Sequence, residues 1–316
     1  MPNSAADRAR PKIPFPHRDF LGIAALSTDE ISIILDLAER YVVQNRHRPQ
    51  TNALLKGFVL INLFLENSTR TRLSFEMAAK RLGADVINMT AEGSSIKKGE
   101  SFIDTLKTLN ALRPDIFVIR AREEGAARIS AEIMECPVIN AGDGTNEHPT
   151  QAMLDALTLR RHFGRLEGLT VAICGDLAHS RVARSNGLLL KKMGAHVRWV
   201  GPRELLPPDL DGATTDMQEG LKNADAVMVL RIQEERLQKS LSFTGEAYFN
   251  DYALTAEKLA WAKKDAVVLH PGPILRGVEI DTTLADDPKR SLVTTQVEMG
   301  VAVRMACLDL LTRYKR

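Results

Sequence analysis

At 316 residues the chain has the length of about two average domains. Its 44% hydrophobic and 26% charged residues are the balance of an ordinary globular protein, and 42 basic against 40 acidic side chains leave a net charge of +2, too small a field to recruit nucleic acid or a membrane surface. Cys136, Cys174 and Cys307 are odd in number and widely spaced, which argues against a disulfide framework and for a reducing compartment. No cysteine pair has CxxC spacing and no histidine pair has HExxH spacing, so no metal site can be read. The N-terminal residues lack the apolar core of a signal peptide, and no run approaches the ~18 apolar residues of a membrane span, so a soluble, cytoplasmic protein is expected.

Residues 1–26 are polar and proline-rich and read as a loose tail. A helix is expected from Ser27, where Ser27 and Glu30 have capping-box spacing and Ile31, Ile34, Leu35, Ala38 and Val42 fall on one face. Short apolar runs then alternate with helical patterns. They begin at Phe58, Asp85, Asp115 and Cys136, and a second series begins at Leu169, His196, Asp225 and Asp265. Such runs between helices are the signature of buried parallel strands in βαβ units. Gly142–Gln151 separates the two series and starts a helix. The last helix is expected near 295–314, with a capping box from Thr295 to Glu298 and Val297, Val301, Met305 and Leu308 on one side. The pattern predicts two open parallel-sheet α/β domains with helices on both faces, joined by two interdomain helices. Their expected limits are 1–147 and 148–294, with helix 295–316 packing back toward the first domain.

In open parallel sheets ligands bind at the carboxyl ends of strands, and polar residues gather there. Ser68-Thr69-Arg70-Thr71 follows the first apolar run and opens a helix, where unpaired N–H groups already favour an anion. A simple cap accounts for one hydroxyl, not for three and Arg70. No GxxxxGK[ST] or GxGxxG occurs, so a small phosphate without a nucleoside is expected. The polar loop "AEGSSIKKGES" follows the second run, Arg120 ends the third, and His148 and Gln151 follow the fourth, with Pro149 suited to helix entry. In the second series Arg181, then Arg231 and Gln233, then the rigid turn His270-Pro271-Gly272-Pro273 lie past successive strands. Several strand-end arginines suit a doubly anionic partner.

The motifs "STRTR", "SSIKKGE", "HPTQ", "GDLxxxRVxxS", "LRIQEER" and "LHPGP", in this order over nearly the whole chain, resemble the aspartate/ornithine carbamoyltransferase family, and within it the aspartate branch. The ornithine branch is expected to carry "HCLP" where this chain has "HPGP". The resemblance implies transfer of the carbamoyl group of carbamoyl phosphate to the α-amine of L-aspartate, a step of pyrimidine biosynthesis, with no cofactor. It implies a carbamoyl-phosphate domain followed by an aspartate domain. Ser68, Thr69, Arg70 and Thr71 would hold the phosphate, Arg120, His148 and Thr71 the carbonyl oxygen, and Gln151 with the backbone at Gly272 and Pro273 the amide. Arg181, Arg231 and Gln233 would hold aspartate. Ser94 and Lys98 would reach in from a neighbouring subunit of a homotrimer, and regulatory or dihydroorotase-like chains are conceivable partners. An ornithine-type enzyme and a non-catalytic anion-binding module are the alternatives, although a binding module has no use for oxyanion donors such as His148.

Overall fold

The computed structural model describes residues 15–47, 53–208, 210–233, 241 and 243–313. The chain divides into two compact units, Met1–Leu157 with Val297–Arg316, and Thr158–Gln296.

The first unit is built from α1 (Thr28–Arg46), β1 (Val59–Phe64), α2 (Thr69–Arg81), β2 (Asp85–Thr90), α3 (Phe102–Ala111), β3 (Ile116–Ala121), α4 (Ala126–Ile133), β4 (Val138–Asp143) and the start of α5 (Pro149–Phe163). Its sheet is parallel, in the order β2-β1-β3-β4. The inner strands β1 and β3 are apolar almost throughout, because helices cover them and alternation would bury polar groups. Ile61, Leu63, Phe117 and Ile119 pack with Leu106 of α3 and Ala127 of α4. The edge strand β2 is largely exposed. At the start of α1 both halves of the expected capping box are present: Ser27 accepts from the Glu30 N–H, and Glu30 accepts from the Ser27 N–H.

The tail expectation fails for residues 15–26, while residues 1–14 lie outside the described part. Phe20, Ile23 and Leu26 are buried, and the Phe20 N–H donates to the Val138 carbonyl, adding a bridge beside β4. Glu147 accepts from the Ile23 N–H at 2.8 Å. Spaced apolar residues and one distant carboxylate order a segment whose prolines alone suggest a coil.

The second unit contains β5 (Thr170–Cys174), α6 (Arg181–Lys192), β6 (His196–Val200), β7 (Ala213–Thr214), α7 (Met217–Leu221), β8 (Ala226–Val229), α8 (Gly245–Tyr252), α9 (Ala256–Leu259), β9 (Val267–Leu269) and α10 (Thr282–Ala285). Its sheet is also parallel, in the order β7-β6-β5-β8-β9. The edge strand β7 was not expected; two residues give no periodicity to read. The final helix, α11 (Val293–Thr312), starts earlier than expected, so Thr295 lies inside it and cannot cap. Glu298 instead pairs with Arg46, at 2.6 Å, and Val297 is half exposed. Among the described residues no helix is long and apolar enough to cross a membrane.

Candidate active site

In the first sheet the chain moves from β1 outward to β2 and then returns to place β3 on the other side of β1. The carboxyl ends of β1 and β3 therefore flank a topological switch point, where a crevice opens in such sheets. The chain leaves β1 beside β3, with the Leu65 N–H donating to the Arg120 carbonyl at 2.9 Å, and enters α2 four residues later, at Thr69.

Ser68 is the N-cap of α2, yet its side chain makes no capping bond. Thr69 and Arg70 are exposed on the first turn. Desolvation alone lowers the Arg70 pKa, and no acidic group takes part in that shift. The group remains a cation, since arginine does not deprotonate in proteins. Thr71 faces inward and is buried, with its Oγ1 3.5 Å from His148 Nε2. His148 is itself buried and immediately precedes Pro149, which opens α5. The Gln151 N–H donates to the His148 carbonyl, and Gln151 Nε2 donates to Asp155 Oδ1 at 2.9 Å, which orients the amide.

Arg120 lies within β3, one residue before its end. Its Nη1 donates to the Ala141 carbonyl at 3.2 Å, and its Nε is 3.3 Å from Glu66 Oε2. Glu66 was not expected to take part; its only signal in the sequence is its position at the β1 exit. Ser94 is buried, with its Oγ donating to the Ala91 carbonyl, and Lys98 is exposed at the end of a 3₁₀ turn, Ser95–Lys98. Among the described residues no hydrogen bond or ion pair links Ser94 or Lys98 to Ser68–Thr71, Arg120 or His148.

The second sheet has the same logic. From β5 the chain runs outward through β6 and β7, then returns to place β8 on the opposite side of β5. The switch point lies at the ends of β5 and β8. Gly175 makes the close approach possible: it sits at φ 118°, and a Cβ there would meet the Leu230 carbonyl oxygen at 2.4 Å. Arg181 is the first residue of α6 and is buried. Arg231 follows β8, its Nη2 donating to Gln233 Oε1 at 3.3 Å while Gln233 Nε2 donates to the Arg231 carbonyl. Asp176, fully buried, ties the two loops together: Oδ2 accepts from the Gln233 N–H at 3.0 Å and Oδ1 accepts from the His179 N–H. Asp176 was missed because one aspartate in a loop has no periodicity. The rest of the "LRIQEER" motif, from Glu234, lies outside the described residues.

Past β9 the turn of His270 to Pro273 is held from inside. His270 Nδ1 accepts from the Gly272 N–H at 2.8 Å, so Nε2 carries the proton and donates to Glu279 Oε1 at 3.0 Å. Gln296 Oε1 accepts from the His270 N–H, and Glu279 Oε1 also accepts from the Leu275 N–H. The histidine of the motif is thus structural support for the backbone at Gly272 and Pro273.

Each unit therefore gathers cationic and amide donors at the switch point of a parallel sheet, and together they define a two-unit α/β protein that handles small anions. Residues 18–161 match the carbamoyl-P binding domain of aspartate/ornithine carbamoyltransferase, and residues 167–311 match its Asp/Orn binding domain. The aspartate carbamoyltransferase catalytic subunit of Rhodospirillum centenum is 58% identical over 306 residues, covering 96% of both chains. Among solved structures, aspartate transcarbamoylase from Trypanosoma cruzi, in complex with carbamoyl aspartate and phosphate, superposes with a TM-score of 0.84 at 31% identity, over 92% of this chain and 94% of that one. Ornithine carbamoyltransferase from Pyrococcus furiosus gives a TM-score of 0.85 at 25% identity, over 95% and 98%. The chain belongs to the aspartate/ornithine carbamoyltransferase family.

Proposed function

We infer that this chain transfers the carbamoyl group from carbamoyl phosphate to the α-amine of L-aspartate, releasing N-carbamoyl-L-aspartate and phosphate. The observation that carries the reading is the pair of switch points with different donor sets. One is a helix N-terminus with uncommitted hydroxyls and a cation; the other carries two arginines for a dicarboxylate. The high identity to the R. centenum catalytic subunit favours aspartate over ornithine, as does "HPGP" in place of "HCLP".

The chemistry follows from the residues. Ser68, Thr69, Arg70 and Thr71 take the phosphate, aided by the N–H groups of α2. The free amine attacks the carbonyl carbon, a C–N bond forms, and the π pair moves to oxygen. Arg120, His148 and Thr71 stabilise that oxyanion. Its collapse breaks the C–O bond to phosphate, and the proton lost by the amine passes to phosphate or solvent. Gln151 and the backbone at Gly272 and Pro273 hold the carbamoyl amide. Arg181, Arg231 and Gln233 hold the carboxylates of aspartate, and positioning the two substrates supplies much of the acceleration.

Ser94 and Lys98 complete the site of a neighbouring chain in a homotrimer. Leu73 and Met77 on α2 and Ile87 on β2 leave large apolar side chains about half exposed, as a surface covered by another copy would. A cytoplasmic location and a place in pyrimidine biosynthesis complete the reading. The test is phosphate release from carbamoyl phosphate with aspartate or ornithine as the amine. Release that needs aspartate supports the proposal; release only with ornithine, or with neither, refutes it.

A further inference from the structure

Arg304, on α11, is buried without a carboxylate among its hydrogen-bond partners. Its Nη1 donates to Ser74 Oγ at 2.9 Å and to the Gly300 carbonyl at 3.1 Å, and its Nη2 donates to Thr150 Oγ1 at 3.3 Å. The guanidinium carbon stands 5.0 Å from the Phe75 ring centre, and Nε has no partner. Burial pulls its pKa down to about 10, against a smaller upward pull from Cys307 and Asp155. Two of its acceptors have a special place. Ser74 is one turn beyond Thr71 on the same face of α2, and Thr150 is two residues beyond His148 at the start of α5.

We propose that Arg304 is a positioning residue that locks the second turn of α2 to the first turn of α5 and so sets the Thr71–His148 contact.

A buried cation that only stabilised the fold would be replaced at little cost by an apolar side chain of similar volume. What such a side chain lacks is the planar fork, whose two arms reach two helices at a fixed spacing. The helix is shaped around that fork. Gly300 lies one turn before Arg304, and a Cβ there would come within 2.7 Å of Nη1. Glycine is a poor choice inside a helix, and here it clears the space in which the guanidinium folds back. Ser74, if released, can bond a carbonyl one turn back in its own helix, so the fold tolerates loss of the fork while the relative placement of the two helices does not. The inference rests on the carbamoyl-transfer reading for its kinetic consequence but not for its structural one.

Arg304→Met and Arg304→Lys test it. Both are expected to fold, with unfolding midpoints near that of the parent chain. Misplacement of donors by a fraction of an ångström to one ångström should lower kcat by about 10- to 100-fold, with a much smaller change in the KM for aspartate. Arg304→Lys should stay low, because it restores charge without the fork; full recovery in it would overturn the proposal. The His148 ring resonances in 1H–15N spectra, assigned by their loss in His148→Gln, should move in both variants. Ring resonances that stay in place in a folded Arg304→Met protein would overturn the proposal, as would kcat within about two-fold of the parent. If Arg304→Met does not fold, Ser74→Ala/Thr150→Ala, which removes the acceptors and leaves the arginine, should give the same kinetic and spectral signature, and its absence there would refute the clamp. Should the parent chain release no phosphate from carbamoyl phosphate and aspartate, the functional reading fails, and the His148 spectra still decide the role of Arg304.

Discussion

In the proposed reading Arg70 concentrates the phosphate side of the site in one side chain. It stands on the first turn of α2 among hydroxyls that the helix does not use for capping, and desolvation alone lowers its pKa. Arg70→Ala should keep the fold, since its side chain is exposed, and should lower kcat by about 10²–10³-fold, as loss of an oxyanion donor does. Steady-state kinetics on a protein shown to be folded by circular dichroism check this; a change of only a few-fold would remove Arg70 from the phosphate grip. The proposed reading assigns Arg231 to the other substrate. Arg231→Ala should cost about 2–5 kcal/mol in kcat/KM for aspartate, the penalty for losing one partner of a charge pair. Calorimetric titration of the same variant with carbamoyl phosphate alone should look native, and a large loss there would reassign the residue. These residues were legible in the sequence because strand ends and helix starts are marked by composition. Glu66, Asp176, Glu279 and Arg304 were not, because each acts through partners that no helix or strand period links to it: Glu66 on Arg120, Asp176 on Gln233, Glu279 on His270 across a nine-residue turn, Arg304 on Ser74 and Thr150.

The eight longer strands and the capping box of α1 could be read from apolar runs and local spacing, since each is a short-range property. What could not be read depends on tertiary partners. The segment 15–26 is ordered by Val138 and Glu147, β7 exists only as an edge beside β6, and α11 begins before the threonine that seemed to cap it. The polar loop after β2 is an intermediate case. It forms two short 3₁₀ turns, Ala91–Gly93 and Ser95–Lys98, with Glu92, Ser95, Lys97 and Lys98 exposed. Few apolar anchors hold it, so its amides should exchange quickly in the free protein. A stable analogue joining a phosphonate to aspartate gives its lysines an anion to converge on and should slow exchange across residues 92–100. Equal exchange with and without the analogue would contradict a role for this loop in binding.

At the scale of the whole molecule, the reading makes Lys98 a residue of its neighbour's site in a cyclic, head-to-tail assembly. Lys98→Ala and His148→Ala, each nearly inactive alone, should complement when mixed and reassembled. In a random equal mixture three quarters of trimers are mixed and each regains one intact site, so roughly a quarter of all sites should be native. No recovery in hybrids verified by native mass spectrometry would confine each site to one chain. The central claim is the reaction itself, and one measurement addresses it without any mutation. Carbamoyl phosphate labelled with 13C at the carbonyl is mixed with equal amounts of unlabelled L-aspartate and L-ornithine and the purified chain, and 13C spectra are followed over time. The account predicts that the label leaves the carbamoyl phosphate resonance and enters the ureido carbon of N-carbamoyl-L-aspartate, with phosphate released in equal amount and no transfer to ornithine. Label that passes only to bicarbonate at the uncatalysed rate, or to the side-chain nitrogen of ornithine, would contradict it.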